Sequence, residues 1–201
     1  MKKTFLLIVL SLITLTGYSQ KKKGKSKAKA ETGVLAKTDN LTAEKVKNEV
    51  HIYVTADGKK DLLFSKPVDA KGVLSEVKIT GFTTKEIPLY YISWTEKGTK
   101  KTDLKTEDYT SVVSEIWDVP TKTQLIGNDQ RTTHIIEKVF LDRLKNASET
   151  QEKMRREGFE FSLLSNGDFI LKDKKGETKY TYNTTDKKYV TAAAGGGKKK
   201  K

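Results

Sequence analysis

Residues 158–173 read GFEFSLLSNGDFILKD. Phe159, Phe161 and Leu163 recur at every second position, which places them on one face of an extended strand. Asn166-Gly167 is a turn pair, because both residues tolerate the left-handed backbone of a tight turn. Phe169 and Leu171 then resume the two-residue period on a returning strand. A period of two on both sides of a turn signal predicts a β-hairpin.

The same pattern extends in both directions. NEVHIYVTADGKKDLLFSK, residues 48–66, has two alternating runs around Asp57-Gly58 and predicts a second hairpin. VLSEVKITGF and IPLYYISWTE follow as β-rich segments, with Pro88 suited to a strand start. In DYTSVVSEIWDVP, Val113, Glu115 and Trp117 alternate with Val112, Ser114 and Ile116, which predicts a strand half buried at most and ended by Pro120. TQLIGNDQRTTHIIEKV suggests another hairpin around Gly127-Asn128-Asp129. KYTYN and KKYVT close the series.

One segment breaks the period. LDRLKNASETQEKMRREG carries Leu141, Leu144, Ala147, Gln151 and Met154 at steps of three and four. Asn146 with Glu149, or Ser148 with Gln151, offers a capping box, and Gly158 suits the position past a helix end. A polar surface helix over about 141–157 is expected. The predicted fold class is therefore α+β and β-dominated: an antiparallel meander of hairpins with one helix. The predicted organisation is a signal peptide at 1–19, a disordered Lys-rich linker at 20–40, a single β-rich domain at 41–191 and a disordered Ala/Gly/Lys tail at 192–201. Short, lysine-rich strands without an outward apolar band argue against a membrane barrel.

The chain opens MKKTFLLIVLSLITLTGYSQ. Lys2 and Lys3 precede an apolar run from Phe5 to Leu15, and Gly17 and Ser19 supply small side chains ahead of Gln20. This is the layout of a secretory signal peptide cleaved between Ser19 and Gln20. The seventeen uncharged residues between Lys3 and Lys21 are at the lower edge of a membrane span, and several are polar, so cleavage is favoured over a retained anchor. The lysines just after the run oppose export by the positive-inside tendency, and the balance still favours export to the periplasm or beyond. Edman sequencing of native material tests whether Gln20 is the mature terminus.

The 201 residues carry a formal charge of +13, unevenly spread. Lys2 and Lys3, the six lysines Lys21, Lys22, Lys23, Lys25, Lys27 and Lys29, and the four from Lys198, Lys199 and Lys200 to Lys201 account for all but one unit of it. The stretch between Ala30 and Gly197 is nearly neutral. Basic tails without large apolar residues cannot bury enough surface to order themselves. Near an anionic lipid or polysaccharide surface, clustered lysines contribute about 1 kcal/mol each at moderate salt, so the tails predict weak tethering to such a surface. No aromatic residue interleaves with these lysines to stack on bases, which argues against nucleic acid as the partner. An envelope protein or glycan is the remaining partner class for the domain itself.

No catalytic motif emerges. GKS at Gly24–Ser26 lacks the earlier glycine of a phosphate-binding loop, because Ser19 stands there. His51 and His134 are distant and lack zinc-ligand spacing, and no G-x-S-x-G elbow marks a serine. The absence of cysteine excludes disulfides and thiol chemistry. Glu115 beside Trp117, and Glu160 between Phe159 and Phe161, are the carboxylates nearest to a two-acid hydrolase site. Tyr90, Ile92 and Trp94, with Trp117, Tyr180 and Tyr182, are read as cross-strand packing ahead of ligand stacking. The expectation is a non-enzymatic binding or structural protein without cofactor or metal, with a carboxylate-dependent glycan hydrolase or a non-specific nucleic-acid binder as alternatives.

Overall fold

The computed structural model describes residues 33–192. The leader, its Ser19–Gln20 cleavage point and the ten tail lysines lie outside the described residues. Thirteen antiparallel strands form three sheets in strict chain order. The first sheet contains β1 (Gly33–Thr38), β2 (Leu41–Val46), β3 (Glu49–Ala56) and β4 (Lys59–Pro67). The second contains β5 (Val73–Thr84), β6 (Ile87–Lys101), β7 (Lys105–Asp118), β8 (Thr123–Phe140) and β9 (Ser148–Glu157). The third contains β10 (Glu160–Leu163), β11 (Phe169–Lys172), β12 (Glu177–Asn183) and β13 (Lys188–Thr191).

The five-stranded sheet is central, and the other two pack on its opposite faces. Leu41, Ala43, Val50 and Ile52 of the first sheet form one core with Ile79, Ile92, Trp94 and Trp117. Phe169, Tyr182 and Tyr189 of the third sheet form a second core with Leu89 and Ile116. Because side chains alternate along a strand, Ile116 and Trp117 enter different cores from adjacent positions. The aromatics are packed as read from the sequence. Phe64 stacks on Trp117 at 4.4 Å, and Phe161 stacks between Tyr91 and Phe169 at 5.2 Å each.

The hairpin of residues 158–173 forms as expected, with Leu163 paired to Phe169 and Phe161 to Leu171. Asp57 and Gly58 make the predicted two-residue turn, both at positive φ. Pro88 lies at the start of β6, and β7 ends before Pro120.

Four expectations are corrected. No helix forms over 141–157, and among the described residues none forms elsewhere. Residues 148–157 are instead β9, paired from Phe140↔Ser148 to Arg131↔Glu157 along β8. The apparent apolar stripe buries nothing, since Leu144 is 80% exposed and Leu141 and Met154 also face solvent. Without a stripe to pack, a ten-residue backbone ladder outweighs local helix preference. Of the residues read as a helix start, Ser148, Glu149 and Gln151 lie in β9, and Asn146 closes a turn in which the Asp142 carboxylate accepts from the backbone N–H groups of Asn146 and Ala147.

The expected linker boundary at residue 40 does not hold, because residues 33–38 form β1 and place Leu35 and Ala36 against the first core. Gly127-Asn128-Asp129 is no turn, and β8 runs straight through it. Finally, β7 is buried on both faces near its end: Ser114, Glu115, Ile116 and Trp117 are all buried. A central strand with a sheet on either side has no wet face.

Candidate functional site

The first sheet is shorter than the long strands beneath it. Past its edge, at Lys66 to Asp69, the central sheet carries a groove of about 750 Å³. Register builds its floor. Across β6 and β7, Trp94 opposes Val113, Glu96 opposes Ser111 and Gly98 opposes Tyr109. Across β7 and β8, Glu115 opposes Gly127, Val113 opposes Asp129 and Ser111 opposes Arg131. All of these share one face, so a two-residue period along three strands brings acids, bases and hydroxyls together.

Glu115 is the floor's deepest charge, with no solvent exposure. One carboxylate oxygen is ion-paired to the Lys66 ammonium, and the other accepts the Trp117 indole N–H at 2.7 Å. An ionised group in the interior persists only with such partners. Opposite it, Gly127 leaves room for the Gln124 side chain, whose amide nitrogen would lie 2.5 Å from an added Cβ.

Tyr109 organises the other end. Its ring folds across Gly98, where a Cβ would lie 2.6 Å from the phenol oxygen, so only glycine admits it. The hydroxyl reaches both Asp69 Oδ2 at 3.0 Å and Glu96 Oε1 at 2.7 Å. Burial, reinforced by those two carboxylates, raises the Tyr109 pKa well above that of an ordinary phenol and keeps it a donor. Asp69 is held below its usual range by the Lys71 backbone N–H and by Tyr109. Ser111 donates to Asp129 Oδ1 at 2.7 Å.

Arg131 differs from these. Its guanidinium stacks on the Tyr109 ring at 3.9 Å, yet its buried Nε has no hydrogen-bond partner, and among the described residues Arg131 makes no ion pair. Lys100 approaches the same ring at 5.9 Å and likewise makes no ion pair among the described residues.

Of the residues singled out from sequence, Glu115 and Trp94 line the groove, and Trp117 lies beside Glu115 in the first core. Glu160 lies on β10, exposed and far along the chain from Glu115's partners. His51 is in the first sheet, 2.7 Å from Glu49 and 3.1 Å from Tyr53. His134 faces away from the groove, on the opposite side of the central sheet, and bonds Glu152 at 2.6 Å. The two histidines are not brought together. Sequence reading missed Tyr109, Arg131, Glu96 and Asp69, which converge only through strand register. Gly98 was the available signal, since an isolated strand glycine marks a close approach.

Comparison of the chain with family models, with curated proteins and with solved structures finds no match.

Proposed function

We propose that this is an exported, non-enzymatic binding protein that sits on anionic envelope surfaces through its lysine-rich tails and contacts a glycan through the groove. The observation that carries the groove's role is the convergence of Tyr109, Arg131 and the paired acids at the edge of the first sheet. A concave site with a few converging polar groups is the usual form of a ligand site. The tails, Lys21–Lys29 and Lys198–Lys201, supply weak, salt-sensitive adhesion. Specificity belongs to the groove.

A hydrolase reading has one observation in its favour: Asp69 and Glu96 converge on one hydroxyl. Their chemistry argues the other way. Two-carboxylate hydrolysis needs room between the acids for the glycosidic oxygen or a water, and the Tyr109 hydroxyl stands there, 3.0 Å from Asp69 and 2.7 Å from Glu96. Glu115 is held by Lys66 and Trp117 on both oxygens. Ser111 pairs with Asp129, but His134 lies across the sheet, so no Ser-His-Asp relay assembles.

The test is co-sedimentation with anionic vesicles at low salt. Deleting residues 20–30 and 192–201 is expected to abolish sedimentation while leaving the domain folded. Unchanged sedimentation of the truncated protein would remove the tethering role.

A further inference from the structure

The groove's hydrogen bonding is unevenly satisfied, and the imbalance points to a ligand class. Its carboxylates all have donors: Glu115 has Lys66 and Trp117, Asp129 has Ser111, Asp69 has the Lys71 backbone N–H, and Asp69 and Glu96 share the single Tyr109 O–H. Glu96 also accepts the Asp69 backbone N–H at 3.1 Å. Among the described residues, its cations without an ion pair are Arg131 and Lys100. Arg131 is pinned by stacking on Tyr109, so its planar fork is oriented before any ligand arrives. A fixed guanidinium suits a carboxylate, which takes two parallel N–H bonds.

Charge alone does not settle the class. The lining carries four acids, Asp69, Glu96, Glu115 and Asp129, against three bases, Lys66, Lys100 and Arg131. A bare anion such as phosphate or sulfate would meet acids it cannot bond. A ligand that adds hydroxyl donors to its carboxylate meets them productively, because each carboxylate has lone pairs beyond those already used. The groove's floor is also made of side chains from strands already paired on both sides, so a peptide backbone finds no ladder partner on the floor.

We propose that the groove binds a uronic-acid unit of an acidic polysaccharide, with the sugar carboxylate on Arg131 and its hydroxyls on Asp129 and Glu96. This rests on the reading of the groove as a ligand site. It also links the two parts of the molecule, since the tails would concentrate the protein on the polymer that the groove reads.

The experiment is isothermal titration of the full chain at moderate salt with a trigalacturonate, its carboxyl-reduced neutral counterpart and a short acidic peptide. The expected result is saturable binding of the trigalacturonate alone, weakened about tenfold or more by Arg131→Lys, which keeps the charge and loses the fork. Arg131→Gln, checked for an unchanged melting temperature, should abolish it. Equal binding of the neutral sugar, or trigalacturonate binding indifferent to both variants, would overturn the carboxylate assignment and leave the groove a glycan site. Binding of the peptide alone would overturn the glycan class. Absence of binding by all three probes would overturn the uronate proposal, while the tether would still be judged separately by vesicle sedimentation.

Discussion

Glu115 and Trp117 stand two residues apart on one face of β7, and the indole N–H of Trp117 donates a 2.7 Å hydrogen bond to the Glu115 carboxylate. Lys66, from the last strand of the first sheet, neutralises the other oxygen. The three side chains fasten the first sheet to the central one at the groove's inner end. An acid beside an aromatic therefore serves here as a structural joint.

Removing the cation should expose the cost of that joint. Lys66→Met leaves a buried carboxylate without its counter-charge, and the loss is expected to be about 2–3 kcal/mol, less than for a fully buried pair because Lys66 is 37% exposed. Glu115→Gln keeps an acceptor for Trp117 and removes the charge, so the double variant should recover much of the loss. A urea-denaturation double-mutant cycle measures it, and additive losses would show that the pair is not coupled.

Gly167 supports a second comparison. Its φ is +80°, and an added Cβ would lie 2.4 Å from Cβ of Thr84, so Gly167→Ala suffers both backbone strain and a clash across the sheets. Gly58 has φ +74° with open space around it. Gly58→Ala should cost about 1 kcal/mol and Gly167→Ala clearly more. Equal melting temperatures for the two variants would show that the third sheet can move away from Thr84.

Acid sensitivity follows from Asp168. Burial by itself would raise its pKa, but hydrogen bonds from Lys179, Asn166 and Thr181 outweigh burial and hold it below the usual value. A carboxylate lowered in the folded state stabilises the fold above its unfolded pKa of about 3.9, and that stability is lost as pH falls through the folded value. Asp168→Asn should thus be less stable than the parent at neutral pH, and the gap should close below about pH 4. Stability curves against pH that stay parallel would refute the assignment.

β9 is an edge strand whose ten residues are all exposed. Lys153 and Arg155 share one face of it, Lys153 paired with Glu137 of β8 and Arg155 with Glu157. Charged residues on an open edge discourage pairing with another chain. Replacing both by valine is expected to produce concentration-dependent association in sedimentation velocity. A variant that stayed monodisperse at high concentration would show that the charges are not what guards the edge.

The hairpins were legible from sequence wherever alternation met a turn pair, as at Asp57-Gly58 and Asn166-Gly167. The β9 segment was misread because its three- and four-residue spacing of Leu, Ala and Met has the same signature as a helix stripe, and only the ladder with β8 distinguishes the two. The burial of Ser114 and Glu115 was hidden for another reason. Polar residues in an alternating strand look solvated unless the second covering sheet is known. The groove depended on register between separate strands, so Tyr109, Glu96 and Arg131 gave no joint signal, although Glu115 stood out beside Trp117.

Adhesion and recognition are assigned to different parts of the molecule, and salt separates them. The most direct measurement is retention on an immobilised acidic polysaccharide at low and at moderate salt, for the parent, the tail-deleted chain and Arg131→Gln. The tail-deleted chain should keep its salt-resistant retention and lose the rest, and Arg131→Gln should do the reverse. Salt-resistant retention that survives in Arg131→Gln but vanishes with the tails would contradict the account.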